Sequence, residues 1–509
     1  LQIRNWYYDL YYCSSSLYCA VSSIYRRLCS EETNSLNNLC GELRLSLFFL
    51  ERFMKDIKSL FEGKIKGILV FGKDIEKKYL SDFIGARVGH ADVYARVKDE
   101  DDVQIILKIA YANRLNVVVR GAGTNLAGST IPDGGVVLDV SDMNQILELD
   151  DETLTVTVQP GVILRDLIEY VEKRGYLYAP DPAEKGASIG GNVSTNAGGM
   201  RAVKYGVTRN YVLALDLYKI DGTKVHLGAK TYKFSTGLNL QQLVVGSEGT
   251  LGVITKIVLK LLPLPEFTLN TVIAYDSLKQ GISNVNIIFK SHLDPTAIEF
   301  VEKKVIAYGE KYLNKSFPCQ NAKSYLIVAL DGDKKGVYER FEKLKEVVKA
   351  HGAIEVIPLD DEAVAKDIWE IRGAIARAVN ASGPWEPIDI VVPINRITDF
   401  VDYVNDLTEN GSPRIVAFGH AGDGNVHLCV LKDNIADEKW PEVLHNTMEK
   451  LYKKSYELGG VVSGEHGVGK GKRDFFLQNT PEEYRSLMIG VKKSFDEFNL
   501  LNPHSGYGL

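Results

Sequence analysis

Three glycine-rich segments, at 120–130, 188–199 and 244–255, constrain the fold of this chain more than any other feature. Glycine allows successive backbone N–H groups to converge on one point, which creates a binding site for an anion such as a phosphate. The first segment is not a Rossmann turn, because Leu126 stands at the third glycine of G-x-G-x-x-G, and it lacks the G-K-[ST] ending of a P-loop. One such loop is as often a plain turn as a ligand site. Three loops in one region favour a ligand.

Hydrophobic periodicity predicts an α+β chain. VQIILKIAYANRL and VILRDLIEYVEKRG carry apolar residues at helical spacing, whereas NVVVR, GVVLDVS and LTVTVQPG are typical of short strands. Two prolines in LLPLPE, at 261–266, indicate a domain boundary. Helices and strands alternate beyond it in an order that favours an antiparallel sheet with helices on one face, followed by a largely helical C-terminus.

Composition excludes several classes of protein. The chain has 509 residues, of which 45% are hydrophobic and 25% charged, and its net charge of −6 gives no indication of a nucleic-acid partner. No apolar run is long enough to span a bilayer. The cysteines have no C-x-x-C spacing, so neither a zinc ribbon nor an internal iron–sulfur centre is expected, and their scarcity after residue 40 favours the cytoplasm.

The N-terminal residues 1–53 differ from the rest of the chain. They contain clusters of Tyr, Ser and Cys without helical or strand period, begin with Leu and precede the first methionine, Met54. The order of regions in a signal peptide is absent. We expect this segment to be an upstream extension outside the fold, with an accessory helix or a membrane-touching tail as the alternative.

Two further glycine-rich motifs concentrate histidine in the C-terminal half. FGHAGDGNVHL places His420 and His427 on either side of a predicted turn, and VVSGEHGVGKGKRDFF supplies Glu465. A hairpin around the turn would bring both imidazoles within reach of one ion, with Glu465 as a third ligand. Two histidines and a carboxylate suit zinc, manganese or iron(II). Surface or core histidines remain an equally good reading of the residues alone.

The glycine-rich segments also carry a family resemblance. RGAGTNLAGST, then PDP…SIGGNVSTNAGG, then GSEGTLGVIT, resembles the FAD-binding domain of the p-cresol methylhydroxylase and vanillyl-alcohol oxidase superfamily over about residues 85–265. Its members with covalent flavin often have a His in the first loop, so Thr124 implies noncovalent FAD. The resemblance implies FAD contacts at Arg120, Gly121, Ala122, Gly123, Thr124, Asn125, Gly128, Ser129, Pro180, Ser188, Gly191, Asn192, Ser194, Thr195, Glu248, Gly249 and Ile254.

The GHAGDGNVH and GEHGVG pair is similar to the D-2-hydroxy-acid dehydrogenase branch, which includes D-lactate dehydrogenases, glycolate oxidase flavin subunits and D-2-hydroxyglutarate dehydrogenases. This resemblance implies a divalent metal, zinc or manganese, on His420, His427 and Glu465. It also implies that His466 is the general base and that Arg372 holds the substrate carboxylate. Helical periodicity alone favours a solvent-facing Arg372.

These resemblances imply a division of the chain and a reaction. Residues 54–265 would form a two-subdomain FAD-binding domain, 266–460 an α+β cap, and 461–509 a helical segment that returns to the flavin. His466 would remove the hydroxyl proton while a hydride passes from the α-carbon to flavin N5.

The expected substrate is a small monocarboxylate, D-lactate before glycolate. D-2-hydroxyglutarate enzymes carry a Lys shortly before the position of Asp389, whereas Pro387 and Ile388 stand here. D-2-hydroxyglutarate oxidation, an alkylglycerone-phosphate synthase-like transferase and a non-catalytic flavin subunit are the alternatives. Electrons would leave to a quinone, a carrier protein or an iron–sulfur partner subunit. We further expect a cytoplasmic homodimer, with peripheral contact at the inner face of the membrane as a variant of that location.

Overall fold

The computed structural model describes residues 57–85, 87–409 and 413–506. The expectation for residues 1–53 lies outside these ranges. The described chain forms three principal sheets and a short two-stranded one, with helices around them. This mixture confirms the predicted α+β class.

The first glycine-rich segment connects two strands of the first sheet. This sheet contains β1 (Ile68–Phe71), β2 (Val93–Arg96), β3 (Val117–Arg120) and β4 (Val136–Asp139) in the order β1-β2-β4-β3. Helix α1 (Glu100–Asn113) begins at Asp99, whose side chain accepts hydrogen bonds from the N–H groups of Asp101 and Asp102. The predicted helix and the strands beside it are confirmed.

The other two glycine-rich segments lie in the part of the chain that forms the second sheet: 188–199 contains a helix, and 244–255 leads into the central strand. The order of this sheet is β5-β6-β10-β8-β9, and β7 pairs separately with β11. The strands are β5 (Ile146–Asp150), β6 (Thr155–Val158), β7 (Tyr176–Leu177), β8 (Val212–Tyr218), β9 (Lys224–Gly228), β10 (Val253–Lys260) and β11 (Leu262–Pro263). The helices are α2 (Leu164–Glu172), α3 (Ile189–Thr195), α4 (Ala202–Tyr205) and α5 (Leu240–Val244).

The third sheet is antiparallel, as predicted, and has seven strands in the order β15-β12-β14-β13-β17-β18-β16. Its strands are β12 (Phe267–Tyr275), β13 (Ala297–Glu302), β14 (Ser324–Gly332), β15 (Glu355–Leu359), β16 (Trp385–Val391), β17 (Ile415–His420) and β18 (Asn425–Leu431). The helices around it are α6 (Leu278–Lys290), α7 (Lys303–Leu313), α8 (Lys334–Ala350), α9 (Glu362–Ala381), α10 (Ile397–Glu409) and α11 (Trp440–Glu457). Single 3₁₀ turns occur at Gly72–Asp74, Lys77–Tyr79, Thr208–Asn210 and Ile394–Arg396.

Helices cover both faces of this sheet, so the prediction of helices on one face is wrong. Helices α6, α8, α10 and α11 pack on the face that carries Ile298 and Phe300, and α7 and α9 pack on the face that carries Val301. The central strands are apolar on both faces, and each face needs cover from water. We call the face under α7 and α9 the site face.

The end of the chain returns to the first two sheets. Helices α12 (Arg473–Gln478) and α13 (Glu482–Phe495) are separated by loops, so the last fifty residues are less helical than predicted. Leu501 forms a bridge with Val117 on β3, and the Lys492 ammonium donates to the carbonyl oxygen of Thr250. Among the described residues, none of the helices combines the length and the apolar character that crossing a bilayer requires.

Candidate active site

A cleft lies where the three glycine-rich segments meet Glu465 and His466. Most of the predicted FAD contacts line it: Gly121, Ala122, Gly123, Thr124, Asn125, Ser129, Ser188, Gly191, Asn192, Ser194, Thr195, Glu248, Gly249 and Ile254. Arg120, Gly128 and Pro180 are not among its lining residues, and the Arg120 guanidinium donates to the carbonyl oxygen of Ser81. Sequence reasoning missed the wall formed by Pro160, Ala183 and Glu184, which lies next to Pro182 of the PDP motif.

The shape of the cleft depends on close backbone packing. Gly123 has φ +74°, and a Cβ there would stand 2.1 Å from the Arg120 guanidinium. Ser188 caps α3 by accepting from the N–H of Gly191, and its hydroxyl also accepts from Ala122 N–H at 3.4 Å, which ties the first loop to the second. At Gly249, with φ +74°, a Cβ would meet no protein atom closer than 3.9 Å, so the missing side chain leaves room on the cleft side. An elongated cleft with glycine backbone on two sides fits a dinucleotide such as FAD.

Glu248 joins three segments below the cleft. Its carboxylate accepts hydrogen bonds from the Ser129 hydroxyl and, at 2.8 Å each, from the N–H groups of Val468 and Gly469. The side chain is buried, and burial raises the pKa of the carboxyl group. Glu248 lines the cleft, but its charged oxygens bind the protein and hold the first loop against the C-terminal segment.

Four neighbouring strands of the third sheet place polar side chains in a row on the site face. Glu299 on β13 is registered with His420 on β17, and His427 on β18 is registered with Asp389 on β16. The β17–β18 hairpin turns at 421–424, as predicted, so His420 and His427 are diagonal neighbours on one face. Backbone pairing therefore brings the two imidazoles together before any other element contributes.

Glu465 completes a cluster with the two histidines. The Nε2 atoms of His420 and His427 are 3.1 Å apart, and Glu465 Oε1 lies 3.9 Å and 3.5 Å from them. Two metal–nitrogen bonds of about 2.1 Å at a tetrahedral angle separate the nitrogens by about 3.4 Å, so the observed spacing fits a metal ion. The other carboxylate oxygen of Glu465 is buried and makes no hydrogen bond with the described protein. These three side chains form a candidate metal-binding set.

Charges within this cluster are strongly coupled. Burial disfavours an imidazolium at His420, but the carboxylates of Glu299 and Glu465 outweigh burial and raise its pKa. Burial, together with the charge on His420, lowers the pKa of His427 to about 3. Burial alone would raise the pKa of Glu465, yet the histidines lower it to about 2. The cluster thus attracts positive charge, which a divalent cation would supply.

Asp389 organises the loop that carries Glu465 and His466. One oxygen of its buried carboxylate accepts from the N–H groups of Gly464, Glu465 and His466 at 2.9–3.0 Å and from the Ser463 hydroxyl. Although burial opposes it, electrostatic interactions with His466 and Lys472 help hold the Asp389 pKa well below its usual range. His466 lines the cleft, and its Nδ1 lies 3.9 Å from the Asp389 carboxylate.

Arg372 is buried on α9 beneath the site face, so the solvent-facing reading of this residue is wrong. Its Nη2 donates to Glu299 at 2.6 Å, and its guanidinium stands 4.6 Å from the centre of the Phe418 ring. The other oxygen of Glu299 accepts from His420 Nδ1 at 2.5 Å. Sequence reasoning missed Glu299 and the role of Asp389, because each is a single acidic residue within a strand.

Two protein-family models match this chain. The family described as FAD linked oxidases, C-terminal domain, matches residues 264–505, and an FAD binding domain matches residues 91–228. The chain is similar to D-lactate dehydrogenase of Anaerostipes hadrus, with 40% identity over 86% of this chain and 94% of the relative. It is also similar to glycolate oxidase subunit GlcD of Bacillus subtilis, with 36% identity over 87% of this chain and 93% of that one.

Solved structures share the fold at low sequence identity. p-Cresol methylhydroxylase with substrate bound aligns with a TM-score of 0.73 and 15% identity, over 89% of this chain and 96% of that chain. The chain therefore has the fold of p-cresol methylhydroxylase, as the glycine-rich segments predicted.

Proposed function

Because the chain belongs to the FAD-linked oxidase family, and is therefore an FAD-dependent oxidoreductase, we propose that it oxidises a small D-2-hydroxy monocarboxylate to the 2-oxo acid. The observation that carries this proposal is the position of the His420–His427–Glu465 cluster. Its Glu465 lines the glycine-rich cleft together with His466, and Arg372 is linked to the cluster through Glu299. The names of the relatives in Anaerostipes hadrus and Bacillus subtilis support a 2-hydroxy acid as the substrate.

The protein's own groups divide the work of the reaction. FAD, when bound, supplies the two-electron acceptor. A divalent ion on His420, His427 and Glu465, zinc or manganese, would make the substrate hydroxyl more acidic. Arg372 binds the substrate carboxylate, and His466 takes the hydroxyl proton as the α-hydrogen leaves with its electron pair. The loop held by Asp389 keeps His466 and Glu465 in fixed relation during this step.

A monocarboxylate is favoured by the cations near the cluster. Arg372 is connected to the cluster through Glu299, whereas the buried Lys472 ammonium is engaged by Asp389 and by the Ser463 hydroxyl, 3.1 Å away. Strand β16 presents Pro387 and Asp389, and no lysine, on the site face. We therefore infer D-lactate first and glycolate next, with D-2-hydroxyglutarate less well accommodated.

Anaerobic flavin reduction by a panel of D- and L-2-hydroxy acids, with metal analysis of the same sample, tests the proposal. We expect D-lactate to bleach the flavin and L-lactate to leave it oxidised. Bleaching by D-2-hydroxyglutarate alone would contradict a monocarboxylate, and no bleaching by any hydroxy acid would overturn the proposed oxidation.

The cofactor linkage and the partners follow from the same proposal. With Thr124 in the first loop, we propose that FAD is noncovalent, so acid denaturation should release all of it into the supernatant. An external acceptor would reoxidise the flavin, and a panel of quinones, carrier proteins and oxygen would identify its class. We propose a homodimer, which light scattering of the purified protein would test.

A further inference from the structure

The carboxylate of Glu299 joins two parts of the site that the reaction uses separately. Its Oε1 accepts from His420 Nδ1 at 2.5 Å, and its Oε2 accepts from Arg372 Nη2 at 2.6 Å. The side chain is fully buried on β13, the central strand of the seven-stranded sheet, and lies on the site face. Each oxygen therefore has its own charged or polar partner.

On the His420 side, this contact fixes which ring nitrogen can bind a cation. A carboxylate only accepts, so Nδ1 is the donor to Glu299; in the neutral ring, Nε2 then carries the lone pair, and it points to His427 Nε2 and Glu465. A carboxylate behind a metal-binding histidine orients the ring and increases its basicity. The contact thus prepares His420 as a ligand.

On the Arg372 side, the contact occupies only part of the guanidinium. Nη2 is held by Glu299 and the ring of Phe418 supports the plane, whereas the buried Nε makes no hydrogen bond within the described protein. A buried donor without a partner is costly, so it points to a ligand acceptor such as a carboxylate oxygen. Glu299 therefore orients Arg372 and leaves donor capacity for a ligand.

We propose that Glu299 is a positioning residue that couples the metal site to the carboxylate site, so that binding at each strengthens binding at the other. A cation on His420 Nε2 draws the Glu299 charge toward His420 and leaves Arg372 less neutralised, so Arg372 attracts an anion more strongly. A carboxylate on Arg372 frees the Glu299 charge for His420 in turn. Such coupling is reciprocal by thermodynamic linkage. The inference rests on the proposed function for the identity of the two ligands.

The coupling can be measured without turnover. Mn²⁺ affinity is read from the electron paramagnetic resonance signal of the free ion, and propionate, which has a carboxylate but no hydroxyl, is titrated by its perturbation of the flavin spectrum. In the parent holoenzyme, we expect Mn²⁺ to tighten propionate binding several-fold. In Glu299→Gln, Mn²⁺ should bind about 10- to 100-fold more weakly, and it should no longer affect propionate.

Two further variants separate positioning from a general structural effect. Glu302→Gln lies on the same strand, outside the cluster, and should retain the parent's Mn²⁺ affinity and coupling. Arg372→Gln removes the competitor for the Glu299 charge and should bind Mn²⁺ more tightly than the parent, the opposite sign to Glu299→Gln. It keeps the proposal testable if Glu299→Gln does not fold.

Parental Mn²⁺ affinity in Glu299→Gln, weaker Mn²⁺ binding in Arg372→Gln, or a parent that binds no Mn²⁺ would each overturn the coupling. Those results leave the proposed oxidation standing if D-lactate still reduces the flavin. Conversely, intact coupling without reduction by any hydroxy acid would overturn the function alone.

Discussion

Replacement of Lys492 by Met should detach the C-terminal segment from the flavin cleft. The ammonium of Lys492 is buried and donates to three acceptors: the carbonyl oxygen of Thr250 at 2.7 Å, Asp496 Oδ2 at 2.5 Å and the carbonyl oxygen of Leu501 at 2.8 Å. Asp496 is itself fully buried and accepts from two further N–H groups. Thr250 belongs to the third glycine-rich segment, so this one side chain ties α13 to the cleft.

The expected loss of stability in Lys492→Met follows from the groups that the substitution leaves without a partner. Met keeps the volume of the lysine stem, so the main loss is the charge and its three hydrogen bonds. Removal of one partner of a buried ion pair costs about 3–5 kcal/mol, because the other charge stays buried without compensation. That range corresponds to a roughly 150- to 5,000-fold rise in the equilibrium for opening this region. The double variant Lys492→Met/Asp496→Asn should recover part of this lost stability, because it no longer contains an uncompensated buried carboxylate.

The assay uses two reporters in one urea titration. Flavin fluorescence reports on the cleft, and tryptophan fluorescence reports on the third sheet and its helices, where Trp369, Trp385 and Trp440 lie. We expect the flavin transition of Lys492→Met to move to lower urea by more than the tryptophan transition does. Lys493→Met, an exposed neighbour, serves as the control and should shift neither by more than about 0.5 kcal/mol. Equal flavin midpoints in the two single variants would refute the reasoning.

Three other outcomes test the site and its surroundings. His466→Ala should lower the rate of flavin reduction by D-lactate about 10²- to 10⁴-fold while keeping bound FAD, as measured by stopped-flow absorbance; full activity would end its assignment as the base. A chelator that strips the divalent ion should abolish reduction while the flavin spectrum stays that of bound FAD, and Mn²⁺ or Zn²⁺ should restore it; unchanged rates in verified metal-free protein would contradict a metal role. Burial alone would raise the pKa of Asp331, but hydrogen bonds from Lys204 and Tyr205 lower it. The ionised carboxylate therefore stabilises the folded protein above about pH 4, and this contribution is lost as pH falls through the lowered pKa. The melting temperature of Asp331→Asn should therefore lie below the parent's by a constant amount from about pH 6 to about pH 8 and approach it below about pH 4; a gap that widens in acid would refute this.

Much of the fold and half of the site could be predicted from local sequence. The helix α1 and the strands around the first glycine-rich segment follow from periodicity, and the His420–His427 pair follows from a hairpin turn of a few residues. The position of helices on both faces of the third sheet could not be predicted, because a strand that is apolar on both sides does not indicate what covers it.

Glu299 and Asp389 show which site residues could not be predicted from the sequence. Each is a lone carboxylate among apolar strand residues, and its partners are distant along the chain: His420 lies 121 residues from Glu299, and His466 lies 77 residues from Asp389. Only strand registration places them beside the histidines. Motifs identify side chains that could contact ligands, whereas the residues that orient those side chains become visible only in three dimensions.

Glu248 has a consequence for the exchange of parts between related proteins. Its carboxylate accepts hydrogen bonds from the Ser129 hydroxyl and from the N–H groups of Val468 and Gly469. A Cβ on Gly469 would stand 2.1 Å from the carbonyl oxygen of Ala127. The first glycine-rich segment and residues 464–471 therefore pack closely against each other, although more than three hundred residues separate them in sequence. A chimera that takes its first glycine-rich segment from one parent must take residues 464–471 from the same parent. Recombination designed on sequence blocks alone would cut through this pair.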